Sequence, residues 1–225
     1  MMSWKLLFSF CFASFFAIQV ADVHDTAREL GKATWSRMAT IGAKNLESDS
    51  ELKAELVRLG TESKVLTPLL LQRIAVVECR ADRKLAYEKK SFKGVFQMGA
   101  DACKEVDVKF EDIDEPGEWK AGAAAGVKYL ELTWKRLEDK KIELDAESSE
   151  TFLLLYLSHQ QGYTGAAKLF NRVKSGEAAK TGAGKNMRAN IHPKDLEKLD
   201  EGDPMTESEF YEYWHGVIKA VEAEI

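Results

Sequence analysis

From Leu69 to Val77 the chain is apolar on nearly every helical face. Leu69, Leu70, Leu71, Ile74, Ala75, Val76 and Val77 leave no polar stripe for solvent, so the pattern predicts a helix buried at the centre of the molecule. Thr67–Pro68 marks its start, a capping residue followed by proline in the first turn. Its far end carries Glu78, ahead of the charged stretch Ala81-Asp82-Arg83-Lys84. An ionisable group is thereby placed where a dry core meets solvent.

The remaining pattern predicts further helices. Asp25 or Thr26 can cap one that runs to about Leu46, with Glu29 completing a Thr-x-x-Glu box, and a shorter one covers Ser50 to Leu59. Both read as amphipathic and peripheral. Ser91 to Met98, SFKGVFQM, alternates apolar and polar residues around Gly94 and predicts a short strand or an irregular turn. Helices follow over Ala100–Val108, Lys120–Leu137, Ser148–Gln160 and Thr164–Val173, with the acidic loop EDIDEPGEW before the second and a break at Gly162 before the last. Lys120–Leu137 is rich in small residues, which lets neighbouring backbones approach closely. Gly176–Asn190 is rich in Gly, Ala and Lys and reads as a mobile loop. Its GAGK lacks the GxxxxGK[ST] spacing of a phosphate-binding loop, and no strand precedes it. Pro204 and the box Thr206-x-x-Glu209 open a terminal amphipathic helix. No internal repeat or heptad appears. The fold class expected is mainly α (α+β), with no more than a minor β-hairpin or irregular β segment.

Composition agrees with a soluble globular chain: 225 residues, 45% hydrophobic, 31% charged and only four prolines, which favours helices over a sandwich or barrel. The N-terminus changes the picture. Leu6 to Ala21 holds no charge and follows Lys5, and it is shorter than the roughly 20 residues a spanning helix needs. It suits the apolar region of a signal peptide over residues 1–21, although Gln19 is a poor small residue before a cut at Ala21; an uncleaved anchor is the alternative. Phe10 is too large to precede a lipoprotein cysteine at Cys11. Export to the periplasm or outside the cell is the expectation, with no stable membrane insertion after cleavage. Cys79 and Cys103 then remain, and an even count in an exported chain points to one disulfide, or else to two buried free thiols. The net charge of −5 argues against nucleic acid as a partner.

Glu78 is the candidate for chemistry. A glycosidase needs a proton donor beside the leaving oxygen, and partial burial against apolar groups is what keeps a carboxylic acid protonated near neutral pH. Further along stand Gly94-Val95-Phe96-Gln97-Met98 and, at a helix end, His159-Gln160-Gln161-Gly162. This order resembles the soluble lytic transglycosylase domain of the lysozyme-like superfamily. That domain shows a glutamate at a helix end, a Gly-x-x-Gln-Met type segment, and later a Tyr-Asn-Ala-Gly type segment. Ala123–Leu130, AAAGVKYL, is similar to the helix between the second and third motifs. The likeness covers about Leu66 to Val173, roughly half the chain. Cys79 departs from the usual serine, and His159 and Gln160 depart from tyrosine and asparagine.

The resemblance implies a lysozyme-like helical core over 66–175, with an N-terminal helical extension over 22–65 and a loop and C-terminal helix over 176–225. It implies a monomeric, peptidoglycan-degrading enzyme acting on the glycan strand. Glu78 would cleave the β-1,4 bond between N-acetylmuramic acid and N-acetylglucosamine. Gly94, Phe96, Gln97, His159 and Gln160 are the expected substrate contacts, and Tyr156 or Tyr163 could supply a phenol. Gln97 would hold an N-acetyl group, or else pair with backbone; Met98 is more often core than contact. His159 would contact Glu78, or else be only a helix-end residue. Asp82 and Glu88 read as solvated charges. No second carboxylate stands out, which favours the transglycosylase route over lysozyme-type hydrolysis. His24, His192 and His215 have no neighbours at metal spacing, so neither metal nor cofactor is expected. The rival from another class is a non-catalytic wall-binding or secreted interaction protein.

Overall fold

The computed structural model describes residues 25–88, 91–113, 116–201 and 203–225. The chain is mainly helical. The helices are α1 (Trp4–Ser48), α2 (Ser50–Glu62), α3 (Pro68–Cys79), α4 (Ala100–Glu105), α5 (Trp119–Asp139), α6 (Ser149–Gln161), α7 (Tyr163–Ser175), α8 (Lys185–Ala189), α9 (Pro193–Leu199) and α10 (Glu207–Glu222). Several begin where a side chain can accept from the free N–H groups of the first turn. Thr67 accepts from Leu70 N–H at 3.2 Å and opens α3. Ser148 accepts from Glu150 N–H at 3.1 Å and opens α6. Thr206 and Glu209 bond reciprocally at the start of α10, as their spacing predicts.

α3 lies at the centre, packed against α1, α2, α6 and α10, and Leu70, Leu71, Ile74, Ala75, Val76 and Val77 are all buried. The helix expected to start at Asp25 or Thr26 is instead continuous through those residues, so Thr26-x-x-Glu29 is not a helix start. Nor are α1 and α2 peripheral. Ala27, Ala39, Leu46, Leu52 and Leu56 share one buried cluster with Ile74, Phe152 and Val217.

The reason lies in glycines, whose lack of a side chain the hydrophobic pattern does not register. A Cβ on Gly31 would stand 2.0 Å from Tyr213 O, and one on Gly216 would stand 1.9 Å from Arg28 O. The pairing of 28 with 216 and of 31 with 213 makes α1 and α10 antiparallel. Gly42 allows the same helix down onto α3, where a Cβ would meet Val76 Cγ1 at 2.6 Å.

Gly176–Asn190 is not a free loop. It holds a short 3-10 turn at Ala178–Lys180 and then α8. A bridge between Gly182 and Thr206 ties it to the start of α10, through Ala183 N–H to Met205 O and Glu207 N–H to Thr181 O, each at 2.8 Å. α9, which the hydrophobic pattern did not signal, follows. Among the described residues the β structure is two isolated bridges, this one and Lys93–Met98. Also among them, no helix is long and apolar enough to cross a membrane. The signal peptide assigned to residues 1–21, and His24, lie outside the described residues.

The glycine contacts predict a sharp asymmetry. Gly216→Ala forces its methyl into Arg28 O and should cost on the order of 2 kcal/mol or more. Gly184→Ala, where nothing lies within 4 Å, should be close to neutral. The midpoint of urea unfolding measures both; equal midpoints would contradict the close crossing.

Candidate active site

α3 stops abruptly because Arg80 and Ala81 both take left-handed backbone, at φ 55° and 47°. Asn45 Nδ2 holds the turn by donating to Arg80 O at 3.0 Å. Glu78, in the last turn, keeps its side chain 9% exposed. Asp82, read from sequence as a solvated charge, accepts from Lys84 N–H at 2.8 Å and so shapes this turn.

The Lys93–Met98 segment is neither strand nor loose turn. Lys93 and Met98 exchange both backbone hydrogen bonds, 2.9 and 2.8 Å. The four residues between them reverse the chain, with Gly94 at φ 76° and Gln97 at φ 46°. Val95 and Phe96 are buried. Phe96 reaches its place because α5 has Gly126 opposite, where a Cβ would lie 2.4 Å from the ring. Gly94 packs on Gly122 of α5.

The Gln97 amide does not face a groove. It is buried, and Nε2 donates to Ala86 O and Gly94 O, each at 3.0 Å. Turned inward, it spends both Nε2 hydrogens on the reversed backbone. What Gln97 presents is its carbonyl, 3.0 Å from His159 Nε2. A carbonyl can only accept, so Nε2 carries hydrogen and, in the neutral ring, Nδ1 is the basic nitrogen. The same Nε2 lies 3.8 Å from Glu78 Oε1. Glu78 and His159, 81 positions apart, therefore meet.

The two border a narrow cavity of ≈ 10 Å³, room for about one water. Phe96, Met98 and Tyr156 are among its walls, and Glu78 is its one carboxylate among the described residues. Tyr156 is buried against Trp214, ring centres 4.8 Å apart. Burial first, and then the charge of Glu78, pushes its phenol well above the usual tyrosine range. It is a wall and not a proton carrier at neutral pH. Gln160 bonds to that phenol and does not line the cavity. Tyr163 is also outside the lining and lies under the Arg136 guanidinium, 4.8 Å from its ring centre. Gly162 takes positive φ, 71°, at the break between α6 and α7.

Sequence reasoning missed Tyr129. It lines the cavity and meets the His159 ring edge-on, centres 6.1 Å apart at 79°. A signal was present: Tyr129 lies one helical turn from Gly126, an aromatic that follows the small-residue stretch Gly122–Gly126 on the same face. A wider groove of ≈ 620 Å³ between the end of α1, residues 81–84 and Trp119 contains none of the predicted site residues. Its Arg83 is bonded to Asp49 at 2.6 Å and lies 4.6 Å over Trp119, which braces α1 against α5. Among the described residues no three His, Cys, Asp or Glu side chains converge as a metal site.

Cys79 and Cys103 are free, which corrects the disulfide expectation. They face different interiors. Cys79 belongs to the main core, its thiol 3.5 Å from Ala75 O and from Val95 O. Cys103 sits with Met98 and Ile113 in a small separate cluster. Burial pushes the Cys79 thiol up to about 12. Neither thiol should therefore react with iodoacetamide in the native protein at pH 8, and both should be alkylated after unfolding without reductant. Mass spectrometry of the peptides checks this; protection that only a reductant removes would show a bond.

Comparison with protein-family models, with curated proteins and with solved structures finds no match.

Proposed function

We propose that the chain is an exported peptidoglycan-cleaving glycosidase, a lytic transglycosylase in which Glu78 is both acid and base. The observation that carries this reading is the meeting of Glu78 with His159 at 3.8 Å, on a cavity whose other walls are apolar and aromatic. Water is largely excluded there, so a proton passed to a leaving oxygen is not lost to solvent.

The chemistry needs one carboxylate. Glu78 gives its proton to the glycosidic oxygen as the bond to the muramyl C1 breaks. The resulting carboxylate takes the proton of the muramyl C6 hydroxyl, whose oxygen closes on C1 and leaves a 1,6-anhydro ring. Two-carboxylate hydrolysis needs a partner acid at a set separation, and no second one lines this cavity among the described residues. His159 is a positioning residue in this scheme. Its Nε2–H is committed to Gln97 O, so the neutral ring presents no acceptor on that nitrogen to compete for the Glu78 proton. A net charge of −5 offers no attraction to an anionic wall, which leaves recognition to the site itself.

Purified peptidoglycan incubated with the protein should release 1,6-anhydro-muropeptides, identified by mass spectrometry. Glu78→Gln keeps size and fold but cannot transfer the proton, and should lower release by roughly 10²-fold or more. Reducing-end products would mean lysozyme-type hydrolysis. Wall binding without release would mean a non-catalytic protein.

A further inference from the structure

Pockets that hold even a drug-sized ligand occupy roughly 300–1,000 Å³. The cavity beside Glu78 has ≈ 10 Å³. If Glu78 acts on a sugar, part of the wall has to move, and burial decides which part. Ile74, Phe96, Met98, Leu130, Leu155 and Tyr156 are all buried, so moving any of them would open the core. Tyr129 and His159 are different. Both are only partly buried, and their rings meet edge-on at 6.1 Å. With Glu78 they form the solvent side of the cavity.

The mouth also lies at a seam. Phe96 belongs to the main core, whereas Met98 and Tyr129 pack with Cys103 and Ile113 in the small second cluster. A cluster with so few buried members opens locally at lower cost than the core does. His159 is tethered through Nε2 to Gln97 O, whereas half-buried Tyr129 is held by the Thr133 side chain of its own helix. Of the two rings, Tyr129 is the one that can turn outward with the His159–Gln97 bond intact, giving up only its bond to Thr133.

We propose that Tyr129 determines access to Glu78: its ring, set against His159, closes the site at rest, and only its outward rotation admits a glycan. The glycan part rests on the function proposed above; the closure itself does not. In the closed state only 9% of the Glu78 side chain is exposed, so a reagent larger than water reaches it chiefly through the minor open population. Such states are commonly about 0.1–10% occupied, and apparent reactivity falls by that fraction.

Carboxyl labelling tests this without any glycan. A water-soluble carbodiimide with glycine ethyl ester converts accessible carboxyls to amides, and peptide mass spectrometry gives the rate at each one. Glu78 should label far more slowly than the exposed Glu143 and Glu224 in the native chain. Tyr129→Ala should raise the Glu78 rate by roughly tenfold or more, as the closed state is lost, with Glu143 and Glu224 unchanged. Tyr129→Phe keeps the ring but loses the bond to Thr133, and should label far closer to the native chain than to Tyr129→Ala. If circular dichroism shows that Tyr129→Ala is unfolded, Tyr129→Val removes the ring while keeping apolar contact with the Cys103 cluster. An unchanged Glu78 rate in a folded ring-less variant overturns the gate, whatever the wall assay gives. Faster labelling in a protein that releases no muropeptides keeps the gate and overturns the glycosidase.

Discussion

Helix backbones that touch with no side chain between them set the frame on which this structure depends. Gly31 and Gly216 bring α1 and α10 into main-chain contact, and Gly42 brings α1 onto Val76 of α3. The N-terminal and C-terminal helices thus become one clamp around the helix that carries Glu78. Close approach of this kind gains dispersion contacts along both backbones, and it cannot be adjusted by small shifts, because an added Cβ has nowhere to go. The direction of α3, and with it the position of Glu78, follows from that clamp. Gly126 applies the same device a third time. It lets α5 settle on Phe96, and a turn further on this delivers Tyr129 to the cavity.

The polar part of the site is built from backbone strain that side chains satisfy. Gln97 holds left-handed backbone, an uncommon state for a non-glycine residue. Its own amide bonds the carbonyls of Ala86 and Gly94 that the reversed turn would otherwise leave open. This turns the Gln97 carbonyl toward α6, where it accepts from His159 and sets which ring nitrogen carries hydrogen. A glutamine outside the cavity lining thereby orients the histidine beside Glu78. Loss of the Gln97 side chain and loss of the His159 ring act on one unit, because the first holds the acceptor that the second uses.

The legible part of the site was the part written in single segments. Glu78 ends an apolar helix, and that alone places a carboxyl at the edge of a dry core. The segment Gly94–Met98 could be seen as a reversal with a glycine at its hinge. Gln97 was misread because alternation along a strand says which face a residue takes but not whether its amide is consumed by its own turn. Tyr163 was misplaced because Gly162 turns α7 away and Arg136 covers the ring. Cys79 and Cys103 were paired by count, whereas pairing depends on which cluster each thiol faces, and that is a long-range property.

Local chemistry determined by the sequence alone is clear in retrospect. All-round apolarity buried α3, Thr67, Ser148 and the Thr206–Glu209 box started their helices, and a composition poor in proline favoured helices over a sandwich or barrel. Each of these depends on residues within a turn or two of one another. Only the tertiary structure decided that α1 is core and not extension, that the thiols stay apart, and that His159 and Tyr129 stand over Glu78. Those outcomes rest on what a glycine lets come near, and a missing Cβ leaves no trace in a pattern of hydrophobic and polar positions.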